Sequence, residues 1–446
     1  MISIFKYNRI ILINYFELNK HYLNININLD SYFHSKNLTN RIKIGTFNFY
    51  LENGGRARTT SLLFNYLCRF KILNLYLFTI KIKDDNEYLI QRNINRILIK
   101  NYALTKLIRN ILKKRINIFI YQHYYSNEIE TLNKLKNVKI LNYQHQSVFF
   151  WIYSNFTSFL SLYRAYKKSK YIISLIHLEN DYIFKKWGGF KTILMNNFIT
   201  YEYNLSFPLD LSSKIILMIG RADDRYKRFE LGIQAMEYVT NELPENEMKI
   251  ITNITNILYI NNIINNLSLE DKIKFYGYNS QPEKYFRNIS LHIITSISES
   301  FSLVLCETKI YGIPNILIGL DYISIGEGGV VIIYDDSPEF IAKECIKILI
   351  NDKYRRKLGK NARKSMKKYK NIELLKKWII LILSIYYGYD YYGKLIKLDI
   401  KITENKAIRL LINQIEFLKK RKKFLQNITL NNFENFSFFE NINFIP

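Results

Sequence analysis

The sequence predicts an α/β protein built from two doubly wound parallel sheets that face a cleft, with a helical extension at the C-terminus. Three observations carry that prediction. From about residue 42 to 370, short apolar runs alternate with amphipathic segments of helix length, the mark of a parallel sheet with crossover helices. The alternation breaks down once, in FITYEYNLSFPLDLSS (198–213), where Pro208 sits among Asp and Ser residues, and it then starts afresh. The length of 446 residues suits two or three domains with ample core.

In the first series, RIKIGTF reads as a strand and NFYLENGG as the loop after it. RARTTSLLFNYLCRF reads as a helix with Leu63, Tyr66, Leu67 and Phe70 on one face. Further strands are expected at LNLYLFTI, INIFIYQ, VKILNYQ, KYIISLI and KTILMNN. The second series has strands at KIILMIG, MKIITN, KIKFYGY, LHIITSIS and PNILIGL. After Lys370, NIELLKKWIILILSIYYGYDYYG reads as one long helix, and the tail beyond it contains FLKKRKKFLQN. The expected division is an N-terminal extension (1–40), a first Rossmann-like domain (41–199), a linker (200–213) and a second Rossmann-like domain (214–370). A C-terminal helix (371–395) and a basic, partly helical or disordered tail (396–446) complete it. In open parallel sheets, ligands collect at the carboxyl ends of strands, so chemistry is sought in those loops.

Composition narrows the function. Hydrophobic content of 48% and charged content of 23% are those of an ordinary soluble globular protein. The 65 Lys and Arg against 38 Asp and Glu give a formal charge of +27, which implies anionic partners: nucleic acid, an anionic membrane surface or phosphorylated substrates. A strong bias toward Ile, Asn, Lys and Tyr accounts for part of that charge. The basic residues are spread along the whole chain rather than gathered in a stripe with aromatic platforms. Nucleic acid is therefore not the expected partner. Cys68, Cys306 and Cys345 form neither a paired framework nor a metal-ligand spacing, which points to a reducing compartment. MISIFKYNRIILINYF is broken by Lys6, Asn8 and Arg9 and lacks a continuous signal-peptide core. WIILILSIYYG is about half a membrane span, so the chain is not expected to cross a bilayer.

Candidate chemistry lies in four loops. IILMIGRADDRYKRFELGIQAM places Gly220 and Arg221 at a strand end, with Lys227 just before a helix. An Arg fork and a Lys point charge there suit a diphosphate, although Asp223 and Asp224 would also neutralise an ordinary basic loop. SESFSLVLCE (298–307) places Glu299 in the loop after a strand, then Ser300, Phe301 and Ser302 leading into a helix that carries Glu307. The unpartnered first N–H groups of that helix can hold a phosphate. Glu299 could accept from sugar hydroxyls and Glu307 from a ribose diol; alternatively the two carboxylates form a solvated helix edge. Gly54 and Gly55, in ENGGRART, let backbone approach a ligand or simply make a tight turn. His123 and His145 each follow a predicted strand and suit either a cleft or a structural loop.

Taken together, the order GG loop, post-strand His, Gly-Arg with a following Lys, Glu-x7-Glu and then Gly312-Ile313-Pro314 resembles the retaining nucleotide-sugar glycosyltransferases of family 4 (glycosyltransferase group 1). The resemblance is strong over 210–370, moderate over 42–200 and absent before 40 and after 395. It implies a GT-B fold, no metal and no cofactor, and transfer of a sugar from a nucleotide-diphosphate sugar to a glycan or lipid-linked acceptor. By the same resemblance, Glu299 contacts donor-sugar hydroxyls and Glu307 the ribose. Arg221 and Lys227 neutralise the diphosphate, helped by the amides of Phe301, Ser302 and Leu303. Gly54 and Gly55 close on the phosphates, Gly277 and Tyr278 contact the base, and His145 matches the cleft histidine better than His123. Three departures stand out. Ser302 and Arg228 occupy positions where the family usually has Gly, and the Arg221-to-Lys227 separation is one residue longer than common, which leaves Arg225 as an alternative to Lys227. A catalytically inactive GT-B partner subunit is the rival reading. The expected location is cytoplasmic, with peripheral attachment to an anionic membrane through the tail and the basic segment LIRNILKKR.

Overall fold

The computed structural model describes residues 41–51, 54–80, 87–150, 156–180, 192–200, 211–221, 226–253, 257–277, 282–323 and 327–388, with positions 409, 410, 413, 416 and 417. The N-terminal extension, Tyr278, Arg225, most of the linker and nearly all of the tail lie outside them.

The first sheet has seven strands: β1 Ile42–Phe47, β2 Leu73–Thr79, β3 Asn95–Leu98, β4 Ile118–Tyr121, β5 Lys139–Tyr143, β6 Tyr171–Ser174 and β7 Thr192–Leu194. Their spatial order is β3-β2-β1-β4-β5-β6-β7, and every pairing is parallel. The central strands are continuous apolar runs because both faces are covered; all four residues of IFIY in β4 are buried. Helices α1 Gly55–Leu67, α2 Leu104–Lys113, α3 Ser126–Asn133 and α4 Phe156–Lys167 provide crossovers. Helix α1 buries Leu63, Phe64 and Leu67. It ends before Phe70, which the periodicity had placed on its face.

The second sheet has six strands: β8 Ile215–Ile219, β9 Glu247–Thr252, β10 Ile273–Gly277, β11 Leu291–Ile294, β12 Asn315–Ile318 and β13 Val330–Ile333. The order β10-β9-β8-β11-β12-β13 is again fully parallel. Its helices are α5 Phe229–Glu242, α6 Leu258–Asn266, α7 Leu303–Ile310, α8 Pro338–Ile350 and α9 Asp352–Ser365. Two strands, β3 and β13, were not anticipated. Both are four-residue edge strands with mostly half-buried residues, so neither presents the apolar run of a strand covered on both faces.

The last helix, α10 Asn371–Tyr387, packs on the first sheet rather than on the second. Trp378 is fully buried and meets Tyr143 of β5 edge-on at 5.5 Å. At the helix start, Asn371 Nδ2 donates to Ile199 O (2.8 Å) and Tyr66 Oη (2.9 Å), and Ile199 N donates to Asn371 Oδ1 (2.9 Å). The aromatic run of this helix is therefore core. Among the described residues, no helix is long and apolar enough to cross a membrane.

Candidate active site between the two sheets

Each sheet reverses its strand order once, between β1 and β4 and between β8 and β11. Such switch points open a crevice at the carboxyl ends of the strands. The sequence-predicted residues cluster at these two places.

On the first sheet, Gly54 caps α1 at φ 156° with no side-chain cap. A Cβ added to Gly54 or Gly55 would meet nothing within 4 Å. These glycines are thus not required by close packing; they border open space beside a helix N-terminus. The two histidines differ sharply. His123 is enclosed by Phe47, Phe49, Tyr121 and Tyr125, and burial, with Arg56 nearby, pulls its pKa down to about 2. His145 is half-buried, lies 4.2 Å from the Tyr143 ring and places Nε2 2.8 Å from Gln122 Oε1. Burial, followed by Arg56, holds it near 3, so it is a neutral imidazole at physiological pH.

On the second sheet, β8 ends at Ile219 and Gly220 turns the chain at φ 157°; a Cβ there would press to 3.3 Å of the Phe229 ring. Arg221 is exposed. Lys227 Nζ lies 2.5 Å from Glu299 Oε1, with the two side chains 28% and 14% exposed, so this pair remains open to the cleft. Lys227 O accepts from Thr295 Oγ1 (2.5 Å). The Glu299 backbone is held by one phenol: Tyr322 Oη accepts from Glu299 N and donates to Glu299 O, both at 3.0 Å. A small cavity of about 30 Å³ is lined by Ile219, Lys227, Thr295, Glu299, Ser302 and Val304, among others.

The two glycine replacements have structural answers. Ser302 is the N-cap of α7, its hydroxyl accepting from Leu305 N at 3.4 Å, so the first two N–H groups of the helix remain for a ligand. Phe301 and Leu303 flank it, both buried. Arg228 adopts φ 49°, ψ 52° as the N-cap of α5, a left-handed conformation that costs a side-chain-bearing residue roughly 1–2 kcal/mol. Its guanidinium is buried, Nε donating to Thr295 O (2.7 Å) and Nη1 to Asp336 Oδ2 (3.0 Å). Those contacts offset the strain and hold Arg228 in the scaffold.

Glu299 and Glu307 lie in different settings. Only Glu307 is on α7, since the helix begins at Leu303, so the two glutamates do not share a helical edge. Glu307 is fully buried. Its Oε1 forms an ion pair with Arg58 Nη2 of α1 at 2.6 Å and accepts from Thr200 Oγ1 at 2.9 Å. In this arrangement the carboxylate joins the two halves of the molecule, because an arginine three residues past the GG turn reaches it. Gly277 closes β10 and is half-buried.

Sequence reasoning missed Arg58, Gln122, Tyr322 and Glu179. Glu179 is fully buried, accepts Val148 N at 2.5 Å and braces the turn after His145. Phe149 and Phe150 from that turn pack, with tilted rings, against Tyr322 and Tyr226 of the other half, each pair with centroids 4.8 Å apart. No local motif marks these residues; they meet only when the sheets are assembled.

This architecture of two facing parallel sheets with a returning last helix is the GT-B fold. It is shared with sucrose-phosphate synthase from Thermosynechococcus elongatus (TM-score 0.66, 16% identity, covering 78% of this chain and 100% of that one). HepE of Anabaena, solved in complex with UDP and glucose, is similar at TM-score 0.62 and 12% identity over 77% of this chain and 100% of that one. TarM of S. aureus, in complex with Fondaparinux, alpha-GlcNAc-glycerol and UDP, gives 0.53 and 19% over 63% and 58%. Residues 204–365 match the family Glycosyl transferases group 1. No curated protein matches the sequence.

Proposed function

We propose that the protein moves a sugar from a nucleoside-diphosphate sugar to an acceptor hydroxyl with retention of configuration and without a metal ion, in glycan, polysaccharide or glycolipid synthesis. The observation that carries this reading is the open Lys227–Glu299 pair beside the N-terminus of α7, set opposite Gly54, Gly55 and His145. The binding of UDP and a sugar by HepE, a protein of the same fold, supports a donor of that type. In the reaction, the bond from the anomeric carbon to the diphosphate oxygen breaks, the acceptor oxygen bonds to that carbon on the same face, and its proton passes to the leaving diphosphate. Negative charge grows on the diphosphate, and Arg221, Lys227 and the helix N-terminus supply fixed positive potential there. Glu299, freed from Lys227 as the phosphate takes that cation, orients sugar hydroxyls, and His145 does so from the other side.

Lys227→Ala and Glu299→Ala should each lower turnover by about 10²- to 10³-fold while leaving the melting temperature nearly unchanged. Normal turnover in both would overturn the assignment. EDTA should leave transfer intact; loss restored by Mg²⁺ would overturn the metal-free reading. A GT-B partner subunit without turnover is the second reading, favoured by the enclosure of Glu307 under Arg58. A thermal shift with nucleoside diphosphates but no turnover of any nucleotide sugar would select it. The protein is further proposed to work in the cytoplasm, peripheral to a membrane, where a lipid-linked acceptor lies. Helix α2 buries Leu107 and Ile111 and leaves Lys106, Arg109 and Lys113 exposed beside Leu112, a pattern that suits an anionic surface. Sedimentation with anionic vesicles at low and high salt tests it; no binding at low salt would refute it.

A further inference from the structure

Behind His145 lies a polar network that neither the sequence motifs nor the family match assigns. Thr46, Asn48, Thr60 and Gln122 are all buried. Thr46 Oγ1 donates its one hydrogen to Ile120 O at 2.8 Å. Toward its other neighbour, the Gln122 side chain at 2.8 Å, that oxygen has only lone pairs to offer. The Gln122 amide must therefore turn its nitrogen to Thr46. Its oxygen is then aimed the opposite way, 3.0 Å from Thr60 Oγ1 and 2.8 Å from His145 Nε2. Thr60 is itself fixed, accepting from Asn48 Nδ2 at 2.6 Å and lying 2.9 Å from Arg56 O.

An amide oxygen accepts and cannot donate. We propose that Gln122 is a positioning residue that locks His145 as the Nε2–H tautomer, so that Nδ1 meets the cleft as a hydrogen-bond acceptor reserved for a hydroxyl of the sugar substrate. The consequence is chemical selectivity. A neutral Nδ1 acceptor attracts an O–H and repels a phosphate or carbonyl oxygen, so the group that docks there is a sugar hydroxyl and not the donor's diphosphate. Burial and Arg56 keep the ring neutral, which removes the doubly protonated form that would bind anions. The inference rests on the reading of His145 as the histidine that faces substrate, and its first test is independent of turnover.

The test is long-range ¹H–¹⁵N correlation of the histidine rings in the full chain, with the His145 signals assigned by their loss in His145→Gln. The expected result is a pyrrole-type nitrogen at ε2 and an imine-type nitrogen at δ1 near neutral pH. The opposite tautomer, an even mixture or an imidazolium overturns the proposal even if the enzyme is active. Gln122→Leu should convert His145 to a tautomer mixture and lower kcat by about tenfold with the donor KM nearly unchanged. A Gln122→Leu protein that keeps both the single tautomer and full kcat overturns the positioning role. An intact tautomer lock in a protein with no transferase activity would instead retain this inference and reject the proposed function.

Discussion

Removing Arg58 from its pair with Glu307 tests whether the two halves of the molecule are joined as the structure shows. The charges lie 2.6 Å apart with side chains 8% and 1% exposed. At an effective dielectric of about 20, their attraction is roughly 6 kcal/mol, which is offset by a desolvation cost of several kcal/mol for each ion. The intact pair therefore contributes little net stability, whereas a broken one leaves a buried charge uncompensated. Arg58→Met should destabilise the protein by about 3–5 kcal/mol, read as a lower urea midpoint at unchanged slope. The double change Arg58→Met with Glu307→Leu should recover most of that loss. A single variant as stable as the wild type would refute the reasoning, because the pair would then be solvated and the halves apart in solution.

Three further outcomes are expected. Burial raises the Glu179 carboxyl to about 7, above its unfolded value, so the stability tied to its neutral form is full below about pH 4.5 and is lost as pH rises through 7, amounting to about 3 kcal/mol. Urea midpoints between pH 5 and 8 should show this dependence in the wild type and a flatter one in Glu179→Gln; identical slopes would refute it. At Arg228, glycine should be tolerated better than alanine by about 1 kcal/mol, since both lose the guanidinium contacts but only alanine keeps the left-handed strain; equal denaturation midpoints would count against the strain. Trp378→Ala should cost about 3–5 kcal/mol in a chemical denaturation curve, and a cost below about 1 kcal/mol would mean that α10 is not docked.

What was legible in the sequence was what local pattern encodes. Apolar runs such as IFIY and IILMI announced the central strands because parallel strands are covered on both sides, and Gly220, Lys227 and Glu299 could be placed because they stand at strand ends. The partners of Glu307 were not legible, for a physical reason. A carboxylate's role depends on which cation arrives, and Arg58 lies far away in sequence, across the cleft. Likewise Gln122 and Thr60 look like ordinary polar residues until four buried hydrogen bonds bring them together behind His145. The edge strands β3 and β13 escaped because half-exposed edges mix polar and apolar residues and lose the run that marks a buried strand.

The tie between Asn371 and Ile199 spans 172 residues, and that distance has a meaning for biosynthesis. The first sheet emerges from the ribosome early, but the helix that supplies Trp378 to its core is made after the whole second sheet. At roughly 5–20 residues per second, the nascent first half waits about 9–34 s for its final packing element. During that interval the edge of Tyr143 that meets Trp378 is bare. Premature termination anywhere before residue 378 would therefore release a first half with an open apolar seam to be met by chaperones.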